Sequence, residues 1–188
     1  MNMIRPIETE YRGYRFRSRL EARWAVFFDT LGIPYEYEPE GFELGDGIRY
    51  LPDFWLPEQR CWVEIKPPGE WAYHHECEFL AQQSDCRHVL YITGNPWPGE
   101  YCIAPYPLAN DLFSDESAWL FALGRKNDRE LWICSDDVGT DCLNPIDFED
   151  ENYPSTDAPR LMGAYGAARR ARFEFGCGHR YAKGRWRS

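Results

Sequence analysis

The chain of 188 residues contains no apolar run of the roughly 18 residues that a membrane-spanning helix needs. Its first stretch, Met1 to Arg19, is polar and arginine-rich and lacks the apolar centre of a secretory signal. These absences lead to the expectation of a soluble, cytoplasmic protein. There is no internal repeat and no low-complexity tract, so neither a solenoid nor a disordered linker is expected. Seven cysteines, an odd number at irregular spacings, make no disulfide framework in a chain long enough to build an apolar core. Reduced thiols are expected. The sequence also lacks positive charge in total, with a net charge of −10, which at first argues against a polyanionic partner.

What is present points to a packed domain. Hydrophobic residues make up 44% of the chain, with many Trp, Tyr and Phe, a composition of globular and not of disordered proteins. The charge is unevenly spread. Residues 1–25 hold six Arg against three Glu, and residues 160–188 hold eight Arg and Lys against one Glu. Two basic ends therefore flank an acidic body. Local Lys and Arg clusters, not the total, set affinity for nucleic acid. The same runs also read as solvated faces.

Ser18-Arg19-Leu20-Glu21 is a capping-box pattern, and it predicts a helix to about Leu31, with Gly32 as its stop. Leu20, Trp24, Phe27, Phe28 and Leu31 recur at helical spacing on one face. Tyr35–Glu38 alternates like a strand, Gly41–Gly47 reads as a loop, and Arg49–Leu56 and Cys61–Lys66 read as strands joined by a turn. A helix is expected over Glu70–Ser84 and a strand over His88–Thr93. The order is α-β-β-β-α-β, an α/β unit. This predicts a core over residues 1–98 and a C-terminal extension over 99–188, packed on that core. The extension holds a hairpin (Ala118–Leu123 with Glu130–Cys134), an acidic loop over Asp136–Asp157 and an Arg-rich helix over Arg160–Phe175.

The candidate chemistry lies in Leu51-Pro52-Asp53-Phe54 and Cys61-Trp62-Val63-Glu64-Ile65-Lys66. Period-two alternation puts Trp62, Glu64 and Lys66 on one face of their strand and Val63 and Ile65 on the other. Asp53 lies on the partner strand within reach of Glu64. Two carboxylates can hold a divalent cation, the carbonyl of Ile65 is a further oxygen donor, and a lysine stabilises charge on a reacting phosphate. Each residue has a structural reading too. Asp53 fits a turn aspartate after proline, Glu64 and Lys66 fit a same-face ion pair, and Glu21 fits a cap. Buried charge is nevertheless costly unless paired or metal-bound.

Glu21, Pro52-Asp53 and Glu64-Ile65-Lys66 together resemble the PD-(D/E)XK nuclease superfamily, whose restriction-endonuclease-like core has the same element order. The stretch from Phe16 to Asp29, continued by Tyr37-Glu38-Pro39-Glu40-Gly41-Phe42, is similar to a subgroup of small nucleases of bacteriophage and bacterial genomes. The likeness covers about residues 10 to 96, and Arg160–Phe175 shares it less specifically. It implies that Asp53 and Glu64 bind Mg²⁺ (with Mn²⁺ as substitute) and that Glu21 completes the shell. It also implies that Lys66 positions the attacking water or stabilises the pentavalent phosphate. The activity implied is hydrolysis of DNA phosphodiesters, in a bacterial cell and from a phage-encoded or bacterial gene.

Arg12, Arg15, Arg17 and Arg19 interleave with Tyr11, Tyr14 and Phe16. Arg169, Arg170, Arg172, Arg180, Lys183, Arg185 and Arg187 crowd the other end with Tyr181 and Trp186. Basic residues among aromatics suit backbone contact and base stacking, or pairing with the acidic body. Arg17, Arg19, Arg169, Arg170 and Arg172 are the expected DNA contacts. His74, His75, Glu76, Gln82 and Gln83 fall on the second helix, as groove-lining or as exposed residues. Cys134, Cys142, Cys177 and His179 lack the C-x₂₋₄-C spacing of compact zinc sites. The expected partner is DNA, with no membrane, and a homodimer or a protein partner stays open. The alternative is a catalytically silent or partner-dependent protein on a nuclease-like scaffold, whose acidic body engages a basic partner.

Overall fold

A computed structural model of the chain describes residues 6–45, 47–68, 75–86, 88–98, 101–104, 118–123, 131–135, 157–173 and 185–187. In chain order the elements begin with β1 (Thr9–Tyr11), β2 (Tyr14–Phe16), α1 (Arg19–Leu31), β3 (Glu36–Tyr37), β4 (Glu40–Glu43) and β5 (Arg49–Tyr50). They continue with β6 (Phe54–Leu56), β7 (Cys61–Lys66), α2 (His75–Gln83), β8 (His88–Thr93) and β9 (Tyr101–Ala104). The last four are β10 (Ala118–Leu123), β11 (Leu131–Ser135), α3 (Pro159–Arg170) and β12 (Arg185–Arg187).

The architecture is mixed α/β. A seven-stranded sheet runs in the order β11-β10-β9-β8-β7-β6-β3. Among the described strands only its β7–β8 pair is parallel, and α2 lies in the connection between those two strands, as parallel neighbours require. Strands β9, β10 and β11 extend the sheet antiparallel beyond β8. A small sheet, β12-β4-β5, and the β1–β2 hairpin hold the other described strands. The hairpin turns on Arg12 and Gly13, both at positive φ (49° and 83°), the backbone that a two-residue loop needs to match strand twist.

The alternation in β7 sorts the core into two layers. Cys61, Val63 and Ile65 face a cluster with Phe54, Leu56, Leu90 and Ile92 of the sheet, Trp24, Phe27 and Phe28 of α1, and Leu161 and Tyr165 of α3. Trp62 faces the opposite cluster with Phe42, Leu44, Cys77, Leu80, Val89 and Tyr91. Helix α1 forms where its capping box predicts. The Glu21 N–H donates to Ser18 Oγ at 3.2 Å, and Gly32 closes the helix at φ 71°. Trp24 anchors α1 to the sheet, its Nε1 donating to the Gly94 carbonyl at 3.0 Å. Among the described residues no helix is long and apolar enough to cross a membrane.

Several elements differ from expectation. The single strand expected over Arg49–Leu56 is two strands in different sheets, because Pro52 has no N–H to donate and Asp53 turns its side chain into the main sheet. Glu40–Glu43 is a strand and not part of a loop. The glycines there suggested a turn throughout 41–47, yet of these only Gly45 and Gly47 adopt positive φ. Helix α3 ends at Arg170, short of Phe175. The pairing β10–β11 matches the expected hairpin. The expected start of α2 at Glu70, the hairpin turn and the acidic loop up to residue 156 lie outside the described residues.

Phe54 is fully buried and stacks edge-on or tilted against Phe16, Phe28, Tyr35 and Tyr37. Replacing it by alanine removes a shared anchor of the hairpin, α1 and β3. Phe54→Ala should cost about 3–5 kcal/mol in urea unfolding. A loss below about 1 kcal/mol would mean that this aromatic cluster is not packed as described.

Candidate active site

Strands β6 and β7 pair with Trp55 opposite Trp62 and Phe54 opposite Val63. One step further along this register brings Asp53 level with Glu64. The backbone N–H of Ile65 donates to Asp53 Oδ2 at 2.7 Å, so Asp53 is tied to the strand that carries Glu64. Both residues are almost completely buried, at 2% exposure each. Lys66 lies on the same face as Glu64 and donates from Nζ to Glu64 Oε1. Glu64 Oε2 is buried and has no hydrogen-bond partner. The alternation puts Glu64 and Lys66 on one face with Asp53 in reach, and the structure brings the three side chains together.

Two further charged groups enter this cluster. Arg17, on the segment just before α1, donates from Nη2 to Asp53 Oδ1 at 2.6 Å. Its Nε lies 2.5 Å from Glu38 Oε1, close but not aligned as a hydrogen bond. Glu38 takes the left-handed conformation (φ 44°) that favours glycine. Its N–H donates to the Asp53 carbonyl at 2.9 Å, which fixes it beside the site. Glu38 was not singled out from sequence. In sequence it reads as the end of the alternating Tyr35–Glu38 stretch, and only its geometry gives it a place at the site.

Glu21 is buried beside the cluster, but its oxygens are engaged elsewhere. Oε1 accepts from Ser18 Oγ at 2.6 Å, and Oε2 accepts from Tyr37 Oη at 2.6 Å and from the Arg17 N–H at 3.1 Å. This is the capping role, extended one residue beyond the N-cap. Glu21 still adds its field to that of Asp53 and Glu38.

The electrostatics follow from burial. Asp53 is held well above the usual carboxylate range by desolvation, then by Glu64 and Glu21, with Arg17 and the Ile65 N–H opposing. Glu38 is raised by desolvation against the pull of Arg17. Burial works against the charge on Arg17, but Asp53 and Glu38 overcome it and hold the guanidinium protonated. Desolvation opposes the charge on Lys66 too, and Glu64 outweighs it. Tyr50, whose hydroxyl lies 3.4 Å from Cys77 Sγ, is raised by burial, Cys77 and Glu64. Burial pushes the Cys77 thiol up to about 12, so it is no nucleophile at neutral pH.

The donor set suits a hard divalent cation. Asp53 and Glu64 offer carboxylate oxygens in a water-poor site, and Glu64 Oε2 has no donor to satisfy it. Among the described residues no three His, Cys, Asp or Glu side chains converge in ligand geometry. Arg17 pairs with Asp53 and Glu38, Lys66 with Glu64, and Glu21 is turned to its cap.

Of the other expected contacts, Arg19 is half-buried at the start of α1, while Arg169, Arg170 and Arg172 are exposed at the end of α3. Arg169 stacks over Trp97 at 3.8 Å, and Trp97 is 58% exposed just after β8. The sequence reading did not single out this tryptophan. Gln82 and Gln83 are exposed, and Gln83 Nε2 donates to the Leu44 carbonyl at 3.4 Å. Cys61, Cys77 and Cys86 carry free thiols. His74, Cys142, Cys177, His179, Arg180 and Lys183 lie outside the described residues, as do the side chains of His75, Cys134, Arg185 and Arg187. Compared with protein-family models, with curated proteins and with solved structures, the chain matches none.

A carboxyl group whose pKa is higher folded than unfolded binds protons more readily in the folded protein. That contribution is complete below the unfolded value, near 3.8 for Asp53, and is lost as pH rises through the folded value. In EDTA, the melting temperature of Asp53→Asn relative to wild type should therefore rise as the pH is raised from below 3.8 towards neutrality. A difference that falls with pH would mean that the pairing with Arg17 outweighs burial.

Proposed function

We propose that the chain is a metal-dependent nuclease with a restriction-endonuclease-like core, acting on DNA phosphodiesters as an endonuclease of PD-(D/E)XK type. One observation carries this reading. Two buried carboxylates, Asp53 just before β6 and Glu64 on β7, stand together with Lys66, and one of their oxygens has no donor. An inert fold gains nothing from burying such a group, which costs of the order of 1–3 kcal/mol unsatisfied.

In this reading Asp53 and Glu64 hold Mg²⁺, which would lower the pKa of a bound water and neutralise the phosphate. Lys66 holds its charge at Glu64 and is partly exposed, so its ammonium is placed to orient the attacking water or meet the phosphate oxygens. The Ile65 N–H keeps Asp53 from rotating away. Trp97 and Arg169, at the end of the parallel strand pair, offer a stacking face and a charge to the nucleic acid.

A second reading has an observation of its own. Arg17 and Lys66 already pair the carboxylates, which is what a silent, protein-binding relative would show. DNA affinity separates the two, since it falls steeply with salt only for a protein that neutralises phosphates.

The direct test is cleavage of supercoiled plasmid with Mg²⁺, Mn²⁺ or EDTA. Wild type should nick only with metal. Asp53→Ala should abolish nicking, and Lys66→Ala should lower the rate about 10²–10³-fold, the scale of one transition-state contact. Metal-dependent cleavage that survives Asp53→Ala would refute the site, and no cleavage with any metal would favour the binding protein.

A further inference from the structure

We infer that Arg17 is the resident cation of the metal-free site, and that a divalent ion enters by displacing its guanidinium from Asp53 and Glu38. This rests on the metal-nuclease reading and assigns a role to a residue outside its motif.

The argument starts from the chemistry of the two cations. Arg17 bridges carboxylates from two segments, Asp53 before β6 and Glu38 after β3. It supplies one charge and only donors. It leaves Glu64 Oε2 with no donor, and its contact with Glu38 Oε1 lacks hydrogen-bond alignment. A divalent ion brings twice the charge and accepts oxygen from any direction. It would serve Asp53 and Glu64 together, which Arg17 does not.

The exchange is also mechanically simple. The Arg17 side chain is 54% exposed, so the guanidinium can move into water without crossing packed protein. Its backbone is a fixed pivot, because the N–H is held by Glu21 Oε2 at 3.1 Å and by Tyr37 Oη at 3.0 Å. Lys66, only 30% exposed and held at Glu64 Oε1, stays in place. Glu38 is kept beside Asp53 by its own backbone bond when the guanidinium departs.

Arg17→Met keeps the backbone pivot and removes the charge. Binding of Mn²⁺, followed by the loss of the free-ion paramagnetic resonance signal, should be roughly tenfold or more tighter in Arg17→Met than in wild type, the scale of one neighbouring charge. Wild type needs no variant for the second measurement. Modification of Arg17 by phenylglyoxal, resolved by peptide mass spectrometry, should be faster with Mn²⁺ than with EDTA. Equal or weaker Mn²⁺ binding by folded Arg17→Met, or modification that Mn²⁺ leaves unchanged or slows, would overturn the exchange while leaving the metal site standing. Mn²⁺ bound by neither protein would overturn the metal-nuclease reading and this inference with it.

Discussion

The hydrogen bond from the Ile65 N–H to Asp53 Oδ2 is the constraint on which the site depends. Strand β6 pairs with β7 only through Phe54–Leu56. Pro52 ends the run, so the next donor of β7 is met by a side chain instead of a backbone carbonyl. That substitution pulls a carboxylate into the sheet beside Glu64. Once two carboxylates share a buried place, cations must follow, because unpaired buried charge is among the costliest features a fold can carry. Arg17 and Lys66 supply them. Tyr37 and Glu21 then fix the backbone from which Arg17 reaches in.

The cluster survives because apolar packing surrounds it. Val63 and Ile65 fill the α1–α3 layer behind Glu64, and Trp62 fills the α2 layer beside it. Replacing the charged residues by apolar ones of like volume would often be neutral or stabilising in such a setting. Stability therefore does not explain their presence in the middle of a well-packed strand. The left-handed backbone of Glu38 fits the same account, since strain of this kind is stored where a side chain must be aimed.

Much of this was legible in the sequence. Ser18-x-x-Glu21 marked the start of α1, and the spacing of Trp24, Phe27, Phe28 and Leu31 marked its buried face. The alternation over Cys61–Lys66 gave the shared face of Trp62, Glu64 and Lys66. Other parts left no local signal. Arg17 read as one of a row of surface arginines, because its partners lie 21 and 36 residues away. Glu38 had no motif. The break at Pro52-Asp53 was hidden by apolar residues on both sides, and β4 by its glycine. In each case a long-range contact decides the structure, and composition is silent about such contacts.

Glu21 shows how the two kinds of information combine. As a cap it is complete, with three donors on two oxygens. As a metal ligand through Oε2 it would have to release Tyr37 or the Arg17 N–H, and each costs a charge-assisted hydrogen bond in a buried place. The residue it would release is the one whose side chain bridges Asp53 and Glu38. Ligation by Glu21 and departure of the Arg17 guanidinium are thus linked through one backbone N–H. If the guanidinium leaves while that N–H stays bonded, Glu21 remains a cap and shapes the site by its charge alone. The capping role and the electrostatic role are then compatible in a single rotamer, whereas the capping role and direct ligation compete.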